Sequence, residues 1–187
     1  MVSRTLVLGG ARSGKSALAE RLARESGKEV VYLATSHAGD GEMSERIAHH
    51  RARRPAQWRT IEEPTALAHT LRATCAPERI VLVDCLTLWL SNLLFSTPQA
   101  YPEVGPIDLA PPFHAERAAL LDWLDAPGTG DVIFVSNEVG MGVVPYGAIS
   151  RAFVDEAGRL HQDVAARAER VLFVAAGLPL ALKGSPC

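Results

Sequence analysis

The chain has 187 residues, a formal net charge of −2, 48% apolar residues and 21% charged residues. That length fits one domain with a substantial core, and that charge excludes a global pull onto nucleic acid or anionic membrane. Cys75, Cys85 and Cys187 are odd in number and lack metal-ligand spacing, which favours free thiols in a reducing compartment over a disulfide framework.

The opening Met-Val-Ser-Arg-Thr runs straight into an apolar segment, which leaves no room for a signal peptide and predicts a soluble, cytoplasmic protein. The run Thr5–Gly9 predicts a strand, and the pattern over Lys15–Ser26 predicts a helix. Between them Gly9-Gly10-Ala11-Arg12-Ser13-Gly14-Lys15-Ser16 matches G-x-x-x-x-G-K-[ST]. A strand before the glycines and a helix after them is the context in which such a segment wraps a phosphate. Successive backbone N–H groups turn inward, and the helix adds its positive N-terminal end. Lys15 is expected to reach the β and γ phosphates, and the Ser16 hydroxyl to ligate Mg²⁺. The chain has only three lysines (Lys15, Lys28 and Lys183), so Lys15 does not come from a lysine-rich background. The loop predicts a bound nucleoside triphosphate.

A second strand is predicted over Glu29–Thr35 and a helix over Glu42–Arg51. From Arg46 to Arg59 the sequence holds five arginines, His49 and His50, and no acid. A helix there puts Met43, Ile47 and His50 on one face, with His49 over Glu45 on a more solvated side. Three roles are open to His50. It can be a partly buried imidazole satisfied by a carbonyl, or part of a basic helix that grips nucleic-acid phosphates. It can also be a nucleophile toward phosphorus. Neutral imidazole attacks phosphorus, and the unperturbed pKa of about 6.5 leaves it mostly neutral at pH 7. Arg46, Arg51, Arg53 and Arg54 would favour the neutral form and pair with triphosphate oxygens.

A short strand is expected at Trp58–Ile61. Glu62 and Glu63 follow, either as a solvated pair at a helix start with Pro64 at its first position or as a carboxylate that accepts from a base or ribose. A helix is predicted over Thr65–Thr74, then a strand over Arg79–Cys85. In this strand Ile80-Val81-Leu82-Val83 closes on Asp84, placed to hold Mg²⁺ against Ser16, with Glu138 competing for that role. The apolar stretch Leu86–Phe95 is too short to span a bilayer and predicts a helix over Thr87–Phe95. Ser96–Pro112 carries five prolines and reads as a surface insertion, a possible flap. Further helices are expected at Phe113–Leu124 and Ala148–Ala168, the latter with Phe153, Ala157, Leu160, Val164 and Ala168 on one stripe. Strands are expected at Asp131–Ser136 and Arg170–Ala176, and Leu178–Lys183 as an antiparallel edge after a Gly177-Leu178-Pro179 turn.

These elements predict an α/β fold: one P-loop NTPase-like (RecA-like) domain over 1–187, with a mostly parallel central sheet and an antiparallel edge. Ligands of such sheets bind at the carboxyl ends of the strands. That rule selects Gly9–Ser16, Thr35–His37, Asp84, Asn137–Glu138 and Gly177.

The chain resembles the bifunctional adenosylcobinamide kinase/adenosylcobinamide-phosphate guanylyltransferases of cobalamin biosynthesis. The resemblance rests on Gly9–Ser16, Tyr32–Ser36, Glu42-Met43, Arg46–His50, Arg54–Thr60, Asn92–Phe95 and Ser136–Pro145. The phosphate loop is generic. The His-His segment and Asn137-Glu138-Val139-Gly140-Met141-Gly142 are specific. The resemblance implies that ATP or GTP phosphorylates adenosylcobinamide and that GMP then passes from GTP to the phosphate, releasing pyrophosphate. It makes His50 the guanylylated residue. It puts nucleotide contacts on Gly9–Ser16, Thr35, Ser36, His37, Arg51, Ala52, Arg53, Arg54, Glu62 and Asp84. It also implies a homo-oligomer, a trimer. Asp84 stands where the family pattern allows Glu or Asp, as metal ligand or guanosine contact, and His161 stands where the pattern has Asn. The stretch 96–112 aligns poorly. Two alternatives are a P-loop small-molecule kinase without nucleotidyl transfer and a nucleotide-gated module that docks nucleic acid or a partner. The net charge argues against the second, so no nucleic-acid partner is expected.

Overall fold

A computed structural model describes residues 2–36, 55–98 and 100–186. The helix expected at Glu42–Arg51 lies outside the described residues. In chain order the elements are β1 (Arg4–Gly9), α1 (Lys15–Glu25), β2 (Glu29–Ala34), β3 (Arg59–Glu62) and α2 (Leu67–Thr74). There follow β4 (Arg79–Asp84), α3 (Leu86–Leu94), α4 (Pro111–Asp125), β5 (Asp131–Asn137), α5 (Ala148–Arg167), β6 (Arg170–Ala175) and β7 (Leu178–Lys183).

The strands form one sheet in the order β3-β2-β4-β5-β1-β6-β7. Every pairing is parallel except β6 with β7, so the expected parallel sheet with one antiparallel edge is what forms. The near-continuous apolar runs of the inner strands follow from burial on both faces. Leu6, Leu8, Val31, Leu33, Val81, Val83, Val132 and Phe134 lie on one face, under Leu67 and Leu71 of α2, Trp89 and Leu93 of α3, Leu120 of α4 and Leu160 of α5. Val7, Tyr32, Ala34, Leu82, Ile133, Val135 and Leu172 lie on the other, with Leu18, Ala19 and Ala23 of α1. The apolar stretch at Leu86 becomes α3, whose Leu86, Trp89, Leu90, Leu93 and Leu94 are all buried. It is a core helix. No helix among the described residues is long and apolar enough to cross a membrane.

Local chemistry shifts several boundaries from their expected places. α4 starts at Pro111, two residues before the expected start, because proline's fixed φ suits a first helical turn. Two of the five prolines in the 96–112 stretch thus belong to that helix or its first turn. The remainder is tied down by Tyr101 Oη donating to Leu94 O at 2.6 Å and Ala148 N donating to Glu103 O at 2.9 Å. Pro64 is not at a first helical position. Glu63 Oε1 accepts from Thr65 N (2.9 Å) and Ala66 N (2.8 Å), so the chain turns once before α2 begins at Leu67. The β6–β7 turn is made by Ala176 and Gly177, both at positive φ, and Leu178 and Pro179 already belong to β7.

The order of the strands positions the site. β5 lies between β1 and β4, and β6 lies on the far side of β1. The chain therefore jumps from β1 to β2, adds β3 at the edge, fills back toward β1 with β4 and β5, and then crosses β1 to β6. The loop after β1 opens at that switch point, at the carboxyl ends of the strands.

Candidate active site

The loop Gly9–Ser16 leaves β1 at Gly9 and enters α1 at Lys15. Gly14 caps the helix at φ 97°, a left-handed conformation that disfavours any side chain, and a Cβ there would stand 3.1 Å from Gly177 Cα. At Gly9 a Cβ would fall 2.5 Å from Val174 O, so the backbone of β6 excludes a larger residue. Gly177 N donates to Ser13 O at 2.8 Å, which makes the β6–β7 turn a prop beneath the loop. Arg12 is exposed at φ 56°, and Ala11 is exposed beside it.

Lys15 is only 8% exposed, and its Nζ donates to Gly10 O at 3.1 Å. The ammonium thus lies back over the mouth of the loop. Ser16 is half-buried in the first turn of α1. The Ser13 hydroxyl is buried and has no hydrogen-bond partner among the described residues. A buried unpaired hydroxyl costs free energy, and here it sits inside a loop whose backbone suits an anion. The loop fits a ligand rich in phosphate oxygens.

Asp84 ends β4, in register with Ala34 of β2 and Val135 of β5. Tyr32 Oη donates to Asp84 Oδ2 at 2.7 Å, so one carboxylate oxygen is fixed. Thr35 is fully buried. Its hydroxyl donates to Cys85 O (2.7 Å) and accepts from Cys85 N (2.9 Å), which locks the end of β2 to β4. Any nucleotide contact at Thr35 falls to its backbone, while Ser36 is partly exposed. Glu62 is exposed at the end of β3, opposite Ala34. Glu63 is engaged in the turn described above, so only one of the two acids faces outward as a ligand candidate. His37, His50, Arg51, Ala52, Arg53 and Arg54 lie outside the described residues.

The fold sets Asn137 and Glu138, already marked by their strand-end position, among further polar groups that local sequence did not single out as site residues. Asn92 Nδ2 donates to Thr35 O (2.7 Å) and Pro64 O (3.0 Å), which ties together the two chain segments on either side of β3. Asn137 Nδ2 donates to Thr87 Oγ1 at 2.9 Å, and Thr87 Oγ1 lies 3.1 Å from Cys85 Sγ. Burial pushes the Cys85 thiol up to about 11, with Asp84 adding to the effect. It is a neutral packing group at physiological pH. Glu138 N donates to Gly9 O at 3.1 Å, one rung beyond the Gly9–Asn137 register pair. Behind it, Ser136 Oγ and His161 Nε2 are 2.7 Å apart, both buried. Asparagines at the end of a strand or on an apolar helix were the one readable signal for this network. The Ser136–His161 pair spans 25 residues of sequence and had none.

A family model described as cobinamide kinase/cobinamide phosphate guanyltransferase matches residues 5–182. The chain is 60% identical over 185 residues to the bifunctional adenosylcobalamin biosynthesis protein CobP of Pseudomonas aeruginosa, covering 98% of this chain and 99% of that one. It is 40% identical over 183 residues to the bifunctional adenosylcobalamin biosynthesis protein CobU of Escherichia coli, covering 95% and 98%. Among solved structures, a type III secretion system ATPase of pathogenic bacteria superposes with a TM-score of 0.54 at 15% identity, over 96% of this chain and 56% of that one. The ATP synthase subunit NeqB of Nanoarcheaum equitans superposes with a TM-score of 0.55 at 10% identity, over 92% and 45%. At such identities the likeness concerns the fold, that of P-loop NTPases.

Proposed function

This chain belongs to the cobinamide kinase/cobinamide phosphate guanyltransferase family, and on that premise we propose that it phosphorylates adenosylcobinamide with ATP or GTP and then transfers GMP from GTP to that phosphate through a guanylyl-histidine at His50. The observation that carries the reading is the loop itself: a buried Lys15 over an anion-shaped backbone with a Ser13 hydroxyl unpaired among the described residues, inside a family match over residues 5–182. One triphosphate held there is open to attack at two phosphorus atoms. An alcohol oxygen attacking the γ phosphorus releases nucleoside diphosphate. An imidazole attacking the α phosphorus releases pyrophosphate, which the same loop would hold.

Ser16 and Asp84 are the residues that would hold Mg²⁺. A hydroxyl and one carboxylate, completed by phosphate oxygens and water, is a donor set that suits this hard ion, and the described residues hold no larger cluster of metal-binding side chains. When bound, Mg²⁺ neutralises charge on the phosphate oxygens. In the nucleotidyl step Arg51, Arg53 and Arg54 favour a neutral His50 and pair with the triphosphate. The whole chain, 1–187, is read as one catalytic domain of the cytoplasm with 96–112 as a surface insertion. The family resemblance also supports a trimer, for which sedimentation equilibrium giving a monomer would be the contrary result.

Incubation with α-labelled GTP and Mg²⁺ is expected to leave an acid-labile, base-stable label that mass spectrometry maps to His50 as added GMP. The γ label is expected on the corrinoid alcohol and not on the protein. Absence of retained α label, under conditions where GTP binding is measured directly, overturns the histidine mechanism and leaves a kinase alone.

A further inference from the structure

We propose that Glu138 is the general base of the phosphorylation step, with the Ser136–His161 pair as its positioning support. The proposal rests on the kinase reading given above. Three observations carry it. The first is place: Glu138 N is bonded to Gly9 O at 3.1 Å, so Glu138 sits beside Gly10, whose carbonyl accepts from Lys15 Nζ at 3.1 Å. Glu138 is therefore the residue just past the end of β5, with its backbone against the start of the loop that would hold the transferring phosphate.

The second is orientation. Glu138 Oε1 accepts from Gly140 N at 2.6 Å, which fixes one oxygen. His161 Nδ1 lies 3.9 Å from Oε2, too far for a hydrogen bond but close enough for electrostatic attraction. The carboxylate favours the tautomer with its proton on Nδ1, in which Nε2, 2.7 Å from Ser136 Oγ, accepts from that hydroxyl. Burial keeps the His161 imidazole below its ordinary range against the opposing pull of Glu138, so the ring remains neutral and does not take a second proton. Glu138 is partly exposed, at 22% of its side chain, and can pass a proton to solvent. The residues after it, Met141, Val143, Val144 and Tyr146, are well exposed.

The third is division of labour between acids. Asp84 accepts from Tyr32 Oη and has the place of a metal ligand, two strands away from β1. A carboxylate so engaged is a poor proton acceptor. Glu138 has no such donor beyond a backbone N–H among the described residues.

In the step, the acceptor alcohol oxygen forms a bond to the γ phosphorus as the bond from that phosphorus to the β–γ bridging oxygen breaks. The hydroxyl proton passes to Glu138 Oε2, and nucleoside diphosphate leaves with the bond electrons. Guanylyl transfer needs no such base, because its acceptor is an already ionised phosphate. The two half-reactions therefore separate the role.

The test compares E138Q with the unaltered enzyme in both assays: γ-label transfer to adenosylcobinamide, and GMP transfer to adenosylcobinamide phosphate supplied ready-made. E138Q is expected to lower kcat for phosphorylation by about 10²–10⁴, with the KM for nucleotide little moved, and to lower GMP transfer far less. Equal loss in both assays, or phosphorylation within threefold of normal, overturns the proposal. If the unaltered enzyme transfers no γ label at all, the kinase reading itself fails, which is a distinct result. H161A is expected to lower phosphorylation about tenfold, and the E138Q/H161A double variant to be no slower than E138Q alone. Additive losses would overturn the positioning role. S136A removes the same support from the other end and replaces H161A in the cycle should that variant fail to fold.

Discussion

Lys15→Ala is expected to slow both transfer reactions, phosphorylation by about 10²–10³, while leaving the sheet intact. Lys15 begins α1 and is 8% exposed, with Nζ over Gly10 O at 3.1 Å. A buried ammonium resting on the Gly10 carbonyl is placed to turn to a phosphate oxygen. It then stabilises charge as it moves onto the leaving group, an interaction stronger in the transition state than in the ground state. Nucleoside diphosphate leaves in one reaction and pyrophosphate in the other, and the loop faces both. Lys15→Arg is not expected to rescue, because a planar guanidinium does not fit a site shaped around a compact ammonium. Single-turnover rates with α- and γ-labelled GTP, with a thermal melt beside them, check this. A fall below tenfold in phosphorylation at saturating nucleotide would place Lys15 away from the transferring phosphate.

Much of the fold was legible because its signals are local. β1, β2, β4, β5 and β6 are runs of Val, Leu and Ile with no polar face, and such a run is what burial under helices on both sides requires. The phosphate loop is equally local, since eight consecutive residues carry all of its chemistry. The order of the sheet is different. Nothing in Asp131–Asn137 says that it inserts between β1 and β4, because that choice is made by long-range pairing, Arg4 with Val132 on one side and Ile80 with Asp131 on the other. Residues whose role depends on this order were correspondingly hard to read. Thr35 is an expected nucleotide contact, and its hydroxyl has a second use that the sequence did not show, as a stitch to Cys85. Asn92 stands out as a polar residue within an apolar helix, but which groups its carboxamide holds, the carbonyls of Thr35 and Pro64, is settled only by packing. His161 lies on the buried stripe of α5 and meets Ser136 only once β5 and α5 are packed.

Trp89→Ala is expected to lower stability by about 3–5 kcal/mol, a fall of about 6–20 °C in the thermal midpoint for a chain of this size. Trp89 is fully buried on α3, at the centre of the cluster shared with Leu67, Leu90, Leu93 and Phe113. Its removal leaves a cavity that rigid neighbours cannot fill. The loss is large against a typical total of about 5–15 kcal/mol. Trp89 has a second duty, since Nε1 donates to Thr65 O at 2.7 Å. Trp89→Phe separates the two. It keeps most of the packing and strands that carbonyl, and is expected to lose about 1–2 kcal/mol, or about 2–8 °C. The lost bond lies one turn of α3 before Asn92, which holds Thr35 and Pro64. Trp89→Phe therefore loosens the chain entering α2 next to a segment that Asn92 fixes at the mouth of the site. Its catalytic defect is expected to exceed its modest stability loss, and Trp89→Ala is expected to show the reverse. Calorimetric melts set against kcat for both half-reactions measure this. Equal catalytic loss at equal stability loss would reduce Trp89 to a packing residue.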